Sequence, residues 1–148
     1  MSNFAITAAG EDDLPELLKL YAYLHPNDPA PSPEQACAAL AATNRISGSA
    51  VLIARKNGVM VASVTLHILP NLTSGVAPYG LIENVITHPA HRQQGHGTTL
   101  LRKAADRSQA EGCYKVMLMT GSQDPATLRF YEQAGFEQSK TGFQIRHR

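Results

Sequence analysis

The chain has 148 residues, 43% of them hydrophobic and 17% charged, with a formal net charge of +1 at pH 7. This is one domain, residues 1–148, long enough for a full core, and without a basic run it does not read as a nucleic-acid binder. No apolar stretch approaches the roughly 18 residues of a membrane span, and the start MSNFAITAAGEDD lacks the basic-then-apolar order of a secretory signal, so no membrane partner and a cytoplasmic location are expected.

Phe4 to Ala8 reads as a short strand. Asp13-Leu14-Pro15-Glu16 has the form of a capping box, and Leu14, Leu17, Leu18, Tyr21 and Leu24 then line one helix face. The proline-rich stretch from His25 to Pro31 is a loop, and Ser32-Pro33-Glu34-Gln35 opens a second, alanine-rich helix to about Thr43. Ser49 to Arg55 and Val59 to Leu69 flank Lys56-Asn57-Gly58, a hairpin signal. After the loop Pro70 to Pro78 comes a strand, Tyr79 to Thr87. A third helix carries Gly97, Leu100, Leu101, Ala104, Ala105 and Ser108 on one face, with Arg102, Lys103, Asp106 and Arg107 on the other. Tyr114 to Thr120 is a buried strand. A fourth helix is capped by Asp124, with Pro125 in its first turn and Gly135 just past its end, and a last strand is expected near Thr141 to Arg146. An antiparallel meander followed by a strand–helix–strand crossover makes a mixed α/β (α+β) sheet. Cys37 and Cys113 match no metal or redox spacing and read as free thiols; no metal is expected.

The stretch Leu81 to Leu101 joins an apolar strand, a turn and a helix that starts beside two glycines. A helix start exposes unpaired N–H groups and the positive end of the macrodipole, and small residues there let an anion reach the backbone. The segment therefore reads as a phosphate cradle. It lacks the lysine of a Walker loop and the third glycine of a dinucleotide-binding turn, which counts against a general nucleotide-binding module.

The pattern Arg92-x-x-Gly95-x-Gly97, set between a strand and a helix, resembles the pyrophosphate-binding signature of the GNAT superfamily of acyl-CoA-dependent N-acyltransferases. Phe130-Tyr131-Glu132-Gln133-Ala134-Gly135-Phe136 is similar to the family's F-Y-x-x-x-G-F helix end. The resemblance spans roughly residues 49 to 146 and implies the GNAT fold: a mixed central sheet of about six to seven strands with about four helices. It implies acetyl-CoA as co-substrate, no metal, and transfer of an acetyl group to a primary amine by direct attack in a ternary complex. The amine is expected to belong to a small molecule such as an amino sugar or amino acid. Gly112-Cys113-Tyr114-Lys115 and Gly142-Phe143-Gln144-Ile145-Arg146 are similar to glucosamine-6-phosphate N-acetyltransferases, although the segment between Lys115 and Phe130 is a few residues longer. A protein N-terminal or lysine acetyltransferase and a non-catalytic acyl-CoA sensor are the alternatives. The family's habit and the late strand suggest a homodimer.

Amine attack needs a base, a stabilised oxyanion and an acid for the leaving thiolate. Glu83 lies in an otherwise mostly apolar run and is expected to be partly buried, which would suit it as the base, directly or through water. The resemblance gives Val85, Ile86 and Thr87 backbone contacts to the pantetheine arm, with the Val85 N–H on the thioester carbonyl. It gives Arg92, Gln93, Gln94, Gly95, His96, Gly97 and Thr98 the pyrophosphate, held through backbone groups, with the His96 side chain facing solvent. Asp124 stands where the family commonly has an Asn that contacts the coenzyme, and Tyr131 is the family's usual acid on the sulfur. The acceptor would enter past His25, Asn27, Asn71 and Tyr79, a mildly polar set without the acidic cluster a polyamine needs. His67, within a strand, reads as structural.

Overall fold

The computed structural model describes residues 3–148. One sheet of five strands runs in the order β1 (Phe4–Ala8), β2 (Ala50–Lys56), β3 (Val59–Leu69), β4 (Tyr79–Thr87) and β5 (Val116–Leu118). The first three neighbouring pairs are antiparallel and β4–β5 is parallel. The helices are α1 (Leu14–Leu24), α2 (Pro33–Asn44), α3 (His96–Ala110) and α4 (Pro125–Gln133). This is the expected mixed architecture with four helices.

Strand alternation sorts the core into two layers. Val51, Ile53, Met60 and Ile86 meet Leu14, Leu17 and Leu20 of α1 and Ala36 and Leu40 of α2 on one face. Leu52, Ala54, Val64, Leu66, Ile68 and Ile82 meet Leu100, Leu101 and Ala104 of α3 on the other, where Phe130, Tyr131 and Ala134 of the α4 region also pack. Period-2 strands and period-3.6 helices bury these stripes because each is apolar on one side only.

The local signals mostly work as read. Asn57 and Gly58 both take positive φ, 50° and 82°, as a two-residue hairpin between β2 and β3 requires. Ser32 and Gln35 exchange both capping-box hydrogen bonds at the start of α2. The box expected at Asp13 and Glu16 does not form. Asp13 instead accepts from the Gly10 N–H at 2.8 Å, and both carboxylates grip Arg55 of β2. Glu16 also accepts the Met60 N–H at 3.0 Å. Burial alone would raise the Glu16 carboxyl, but hydrogen bonds from Arg55 and Met60 outweigh it and hold the group below its ordinary range. The start of α1 is thus fastened to the β2–β3 hairpin.

Two strands were overestimated. β5 is three residues long, not seven, and the strand expected near Thr141 to Arg146 is absent, so the sheet has five strands and not six or seven. A strand forms only where its backbone groups find a ladder partner. After α4 the chain runs past Met119 without one: a Cβ added at Gly142 would lie 2.9 Å from the Met119 sulfur, and Phe143 and Ile145 are 94% and 85% exposed.

Candidate active site

β4 changes phase in its middle. Thr65 of β3 faces Glu83 and Ser63 faces Ile86, so Asn84 and Val85 stand against Val64 alone. Asn84 makes this bulge with φ of 54°, a left-handed conformation that Asn tolerates better than most residues. Before the bulge Ile82 packs with the α3 cluster; after it Val85 does so, and Ile86 joins the α1 cluster. The bulge turns the Val85 side chain toward the α3 cluster, where α4 also packs.

On its other edge β4 pairs with β5 only at Gly80, Leu81 and Ile82. From Glu83 to Thr87 the strand has no ladder partner on that side among the described residues. The backbone N–H and C=O groups of that edge are left without a ladder partner. Such groups need partners once water is excluded, so an extended chain carrying amides fits that edge chemically.

The unpaired part of β4 leads through a short turn to the start of α3. Gly95 is the N-cap residue with φ of 84°, and no side chain caps the helix. A Cβ at Gly95 would meet nothing within 4 Å, whereas one at Gly97 would lie 2.9 Å from the Phe130 ring and 3.1 Å from the Thr87 hydroxyl. The two glycines thus serve different ends. Gly95 is needed for backbone conformation beside an open face. Gly97, expected to clear space for an anion, is buried and lets α3, α4 and the end of β4 close on one another. The Arg92 guanidinium donates to the Thr87 carbonyl at 3.3 Å and ties the turn to β4. Gln93 also has positive φ, 62°. Arg92, Gln93, Gln94 and Gly95 are exposed, and Thr98 is half-buried.

His96 differs from its expected solvent-facing role. It is half-buried, stacks on Phe4 with centroids 5.3 Å apart, and contacts Gln94 Oε1 at 3.2 Å. Burial, then Lys56 and His91, push its imidazole below the ordinary value. Phe4, Lys56, Gln94, Gly95, His96 and Thr99 line a cleft of about 230 Å³ on this flank. From His96 a row of rings continues through His91 and His88 to Tyr23 of α1, at successive centroid distances of 6.5, 5.5 and 4.8 Å.

α4 closes the other side. Asp124 caps it through the Ala126 N–H at 2.9 Å, so its carboxylate is already engaged as a cap. Tyr131 is half-buried against the α3 cluster, its ring 5.0 Å from Phe130. Burial pushes its hydroxyl above the ordinary value, which keeps it a protonated donor at neutral pH. The side chains of Val85 and Tyr131 pack against one core cluster, and Gly97 touches the same layer through Phe130. The structure thus gathers β4, the turn and α4.

Glu83 is exposed, which corrects the expectation of partial burial. Alternation places it opposite Thr65, on the α1–α2 face, because Ile82 beside it belongs to the α3 face. Burial therefore does not make it a base; its claim rests on position, one residue before the bulge.

The four acceptor candidates do not form one cluster. His25 and Asn27 are exposed beyond Tyr23, which packs on His88 at the far end of β4. Asn71 is hydrogen-bonded within its own turn to Thr73. Tyr79 begins β4 and meets Tyr114, with the Lys115 ammonium 5.3 Å from both ring centres. Sequence reasoning missed Asn84, the packing role of Gly97 and the ring row. The first was readable: in Ile82-Glu83-Asn84-Val85-Ile86 two polar residues precede two apolar ones, a phase slip in strand alternation.

The cysteines are free and half-buried, and burial raises both thiols, with Glu11 adding to Cys37 and Glu111 to Cys113. No group of three or more metal-ligating side chains occurs among the described residues, and no helix there is long and apolar enough to cross a membrane.

Residues 14–136 match the family model described as "Acetyltransferase (GNAT) family". A glucosamine 6-phosphate N-acetyltransferase of Trypanosoma brucei brucei is 34% identical over 128 residues, 85% of this chain and 84% of that one. Among solved structures, a provisionally named acetyltransferase from Agrobacterium tumefaciens is 48% identical with a TM-score of 0.90, covering 97% of this chain and 99% of that one. A protein from Bacillus halodurans named a transcriptional regulator is 28% identical with a TM-score of 0.86, at the same coverage.

Proposed function

The chain belongs to the GNAT acetyltransferase family, and from that premise we propose that it moves the acetyl group of acetyl-CoA to a primary amine of a small, hydrophilic molecule, of amino-sugar or amino-acid type. The observation that carries this reading is the open edge of β4 from Glu83 to Thr87, running into the uncapped start of α3 at Gly95. The residues fit the coenzyme: an amide-bearing arm suits the free strand edge, and a pyrophosphate suits the bare N–H groups beside Gly95.

Bound acetyl-CoA supplies the activated acyl group. The Val85 N–H donates to the acyl oxygen as charge builds there. Glu83, on the opposite face and one residue before the bulge, takes a proton from the incoming ammonium, directly or through water, so that the amine attacks with a lone pair. Tyr131 gives a hydrogen bond or a proton to the departing sulfur; its burial keeps that proton available. Val85, Ile86 and Thr87 hold the arm through backbone groups. The buried Ile86 side chain belongs to the α1 layer and cannot itself face the arm. The turn from Arg92 to Thr98 holds the diphosphate. Asp124 acts as a helix cap, and its carboxylate offers a coenzyme only acceptor capacity, unlike an amide.

The reading includes a cytoplasmic enzyme that works as a homodimer. The alternating tail from Thr141 to Arg146, unpaired here and with Phe143 and Ile145 exposed, can form a strand by pairing with a second copy. Light scattering at tens of micromolar, roughly the range in which a standard interface persists, is expected to give twice the chain mass. A monomer there removes the dimer from the reading.

The test of the activity is thiol release from acetyl-CoA with glucosamine 6-phosphate, glucosamine, amino acids, polyamines and a peptide N-terminus as acceptors. Turnover with a small amine is expected. CoA binding by calorimetry without turnover of any acceptor would favour an acyl-CoA sensor, and peptide turnover alone would favour a protein acetyltransferase.

A further inference from the structure

β3 carries a histidine that the reading above does not use. His67 faces Leu81 across the β3–β4 ladder, and Thr65 faces Glu83, so His67 and Glu83 are diagonal neighbours on one side of the sheet. That side is the one opposite α3, because Leu66, Ile68 and Ile82 on alternating positions pack on α3. Diagonal strand neighbours lie roughly 7–8 Å apart at Cα and somewhat less at Cβ, within reach of long side chains.

The surroundings of His67 are unusual for a strand histidine. It is half-buried, yet no hydrogen bond to its ring occurs among the described residues, while His88 and His96 each have one. No buried side-chain nitrogen or oxygen there lacks a partner, so the His67 ring nitrogens must reach solvent. The helices do not cover this part of the face. Tyr79 and Leu81 are half-buried and Glu83 is exposed, whereas Gly80 and Ile82 between them are buried on the α3 side. An open patch with one carboxylate and one free imidazole therefore borders the bulge from which the acyl group would be presented.

We infer that His67 is an acceptor-binding residue that hydrogen-bonds a hydroxyl of the substrate while Glu83 faces its ammonium group. The inference rests on the acetyl-transfer reading and narrows the acceptor to an amine with a hydroxyl three or four bonds from the nitrogen, a 1,2- or 1,3-amino alcohol. The spacing supports this: no ion pair joins the two side chains among the described residues, and as diagonal neighbours they are close enough to hold neighbouring groups of one small molecule. An imidazole ring can donate to a hydroxyl, whereas a carboxylate can only accept from one. A site that hydrogen-bonds a substrate hydroxyl also disfavours analogues without it.

The test compares wild type, His67→Leu and His67→Asn with glucosamine and with cyclohexylamine, which lacks the hydroxyls. His67→Leu is expected to raise the KM for glucosamine about tenfold or more, with the KM for acetyl-CoA and the melting temperature unchanged. His67→Asn should recover part of the loss, and cyclohexylamine should be affected much less than glucosamine. An unchanged glucosamine KM, or equal losses for both amines, overturns the assignment. So does early melting with normal turnover once folded, since that marks a structural residue. If wild type acetylates neither amine, the acetyl-transfer reading fails for them, and the ring signals of His67 in NMR decide: a shift confined to His67 on adding glucosamine supports binding there, and no shift overturns it.

Discussion

On the α3 side of the sheet, the groups assigned to the coenzyme fall within three adjoining elements: the second half of β4, the turn into α3, and α4. On the α1 side, the groups that would meet an acceptor come from β3, β4, the α1–α2 loop and the loop before β4, and the chain holds them less tightly. The first region works through backbone. Its features are a bulge at Asn84, a left-handed Gly95 and a buried contact between Gly97 and Phe130. The second works through side chains on a face that the helices leave open beside Glu83. Backbone devices demand particular residues at fixed short spacings, whereas a side-chain patch accepts many residues from distant segments. One coenzyme and many acceptors would suit that division.

Glu83 stands where the two regions meet, and its replacement has the largest expected effect. Glu83→Gln preserves shape and removes the base, so kcat should fall roughly 10²–10⁴-fold and the acid limb of the pH–rate profile should move or vanish. CoA affinity should hold, because the carboxylate lies on the far face from α3. An unchanged profile would make Glu83 structural and shift proton removal to solvent or to another group.

Tyr131 tests the coenzyme side alone. Tyr131→Phe keeps the ring against the core and removes the hydroxyl, so packing should survive. A roughly ten- to thousandfold fall in kcat is expected, with little change in CoA affinity, because the bond to sulfur strengthens as charge moves there. The loss is smaller if thiolate departure is not rate-limiting. Since burial raises this hydroxyl, the wild-type rate should show no tyrosine limb below pH about 10. A mutant that melts early yet turns over normally once folded would reassign Tyr131 to the core.

The two glycines separate backbone conformation from packing. Gly97→Ala puts a methyl 2.9 Å from the Phe130 ring. Overpacking of this kind costs about 1–3 kcal/mol, and here it would also displace α4 and Tyr131. Gly95→Ala meets no atom, but a left-handed alanine costs about 1–2 kcal/mol and disturbs the turn beneath the diphosphate. Calorimetry with CoA should therefore show weaker binding for both, accompanied by a loss of kcat beyond the affinity change only for Gly97→Ala. Full affinity in Gly95→Ala would remove the start of α3 as the phosphate site.

The same division explains what could be read in advance. β1, β3 and β4 are bounded by turn residues at both ends, and their limits agree with alternation and punctuation alone. The helix start beside the glycines and the α4 cap were legible because Gly95, Asp124 and Pro125 obey local rules. The missing last strand was not, since alternation in Phe143-Gln144-Ile145 reports that a segment can be a strand, not that a partner lies beside it. Glu83 seemed buried because its neighbours in sequence are apolar; burial depends on what covers a face, and no helix covers that part of β4. The reading of His67 as structural rests on strand position alone, which says nothing about whether a ring has found a hydrogen-bond partner.

The smallest effect belongs to His96, and its sign is fixed. Burial, with help from Lys56 and His91, lowers the imidazole below its reference value of 6.5. The unfolded chain then takes up this proton before the folded chain does. The contribution to stability is complete above pH about 6.5 and is lost as pH falls through the lower folded value. His96→Gln should therefore weaken the fall in melting temperature between about pH 7.5 and 5.5, by roughly a degree or two, since solvent screens a half-buried group. A diphosphate held beside Gly95 would favour the imidazolium form, so saturating CoA should shrink the same slope in wild type and leave the mutant nearly unaffected. Melting curves that respond to CoA identically in both proteins would separate His96 from the phosphate site and leave it as a support for Phe4.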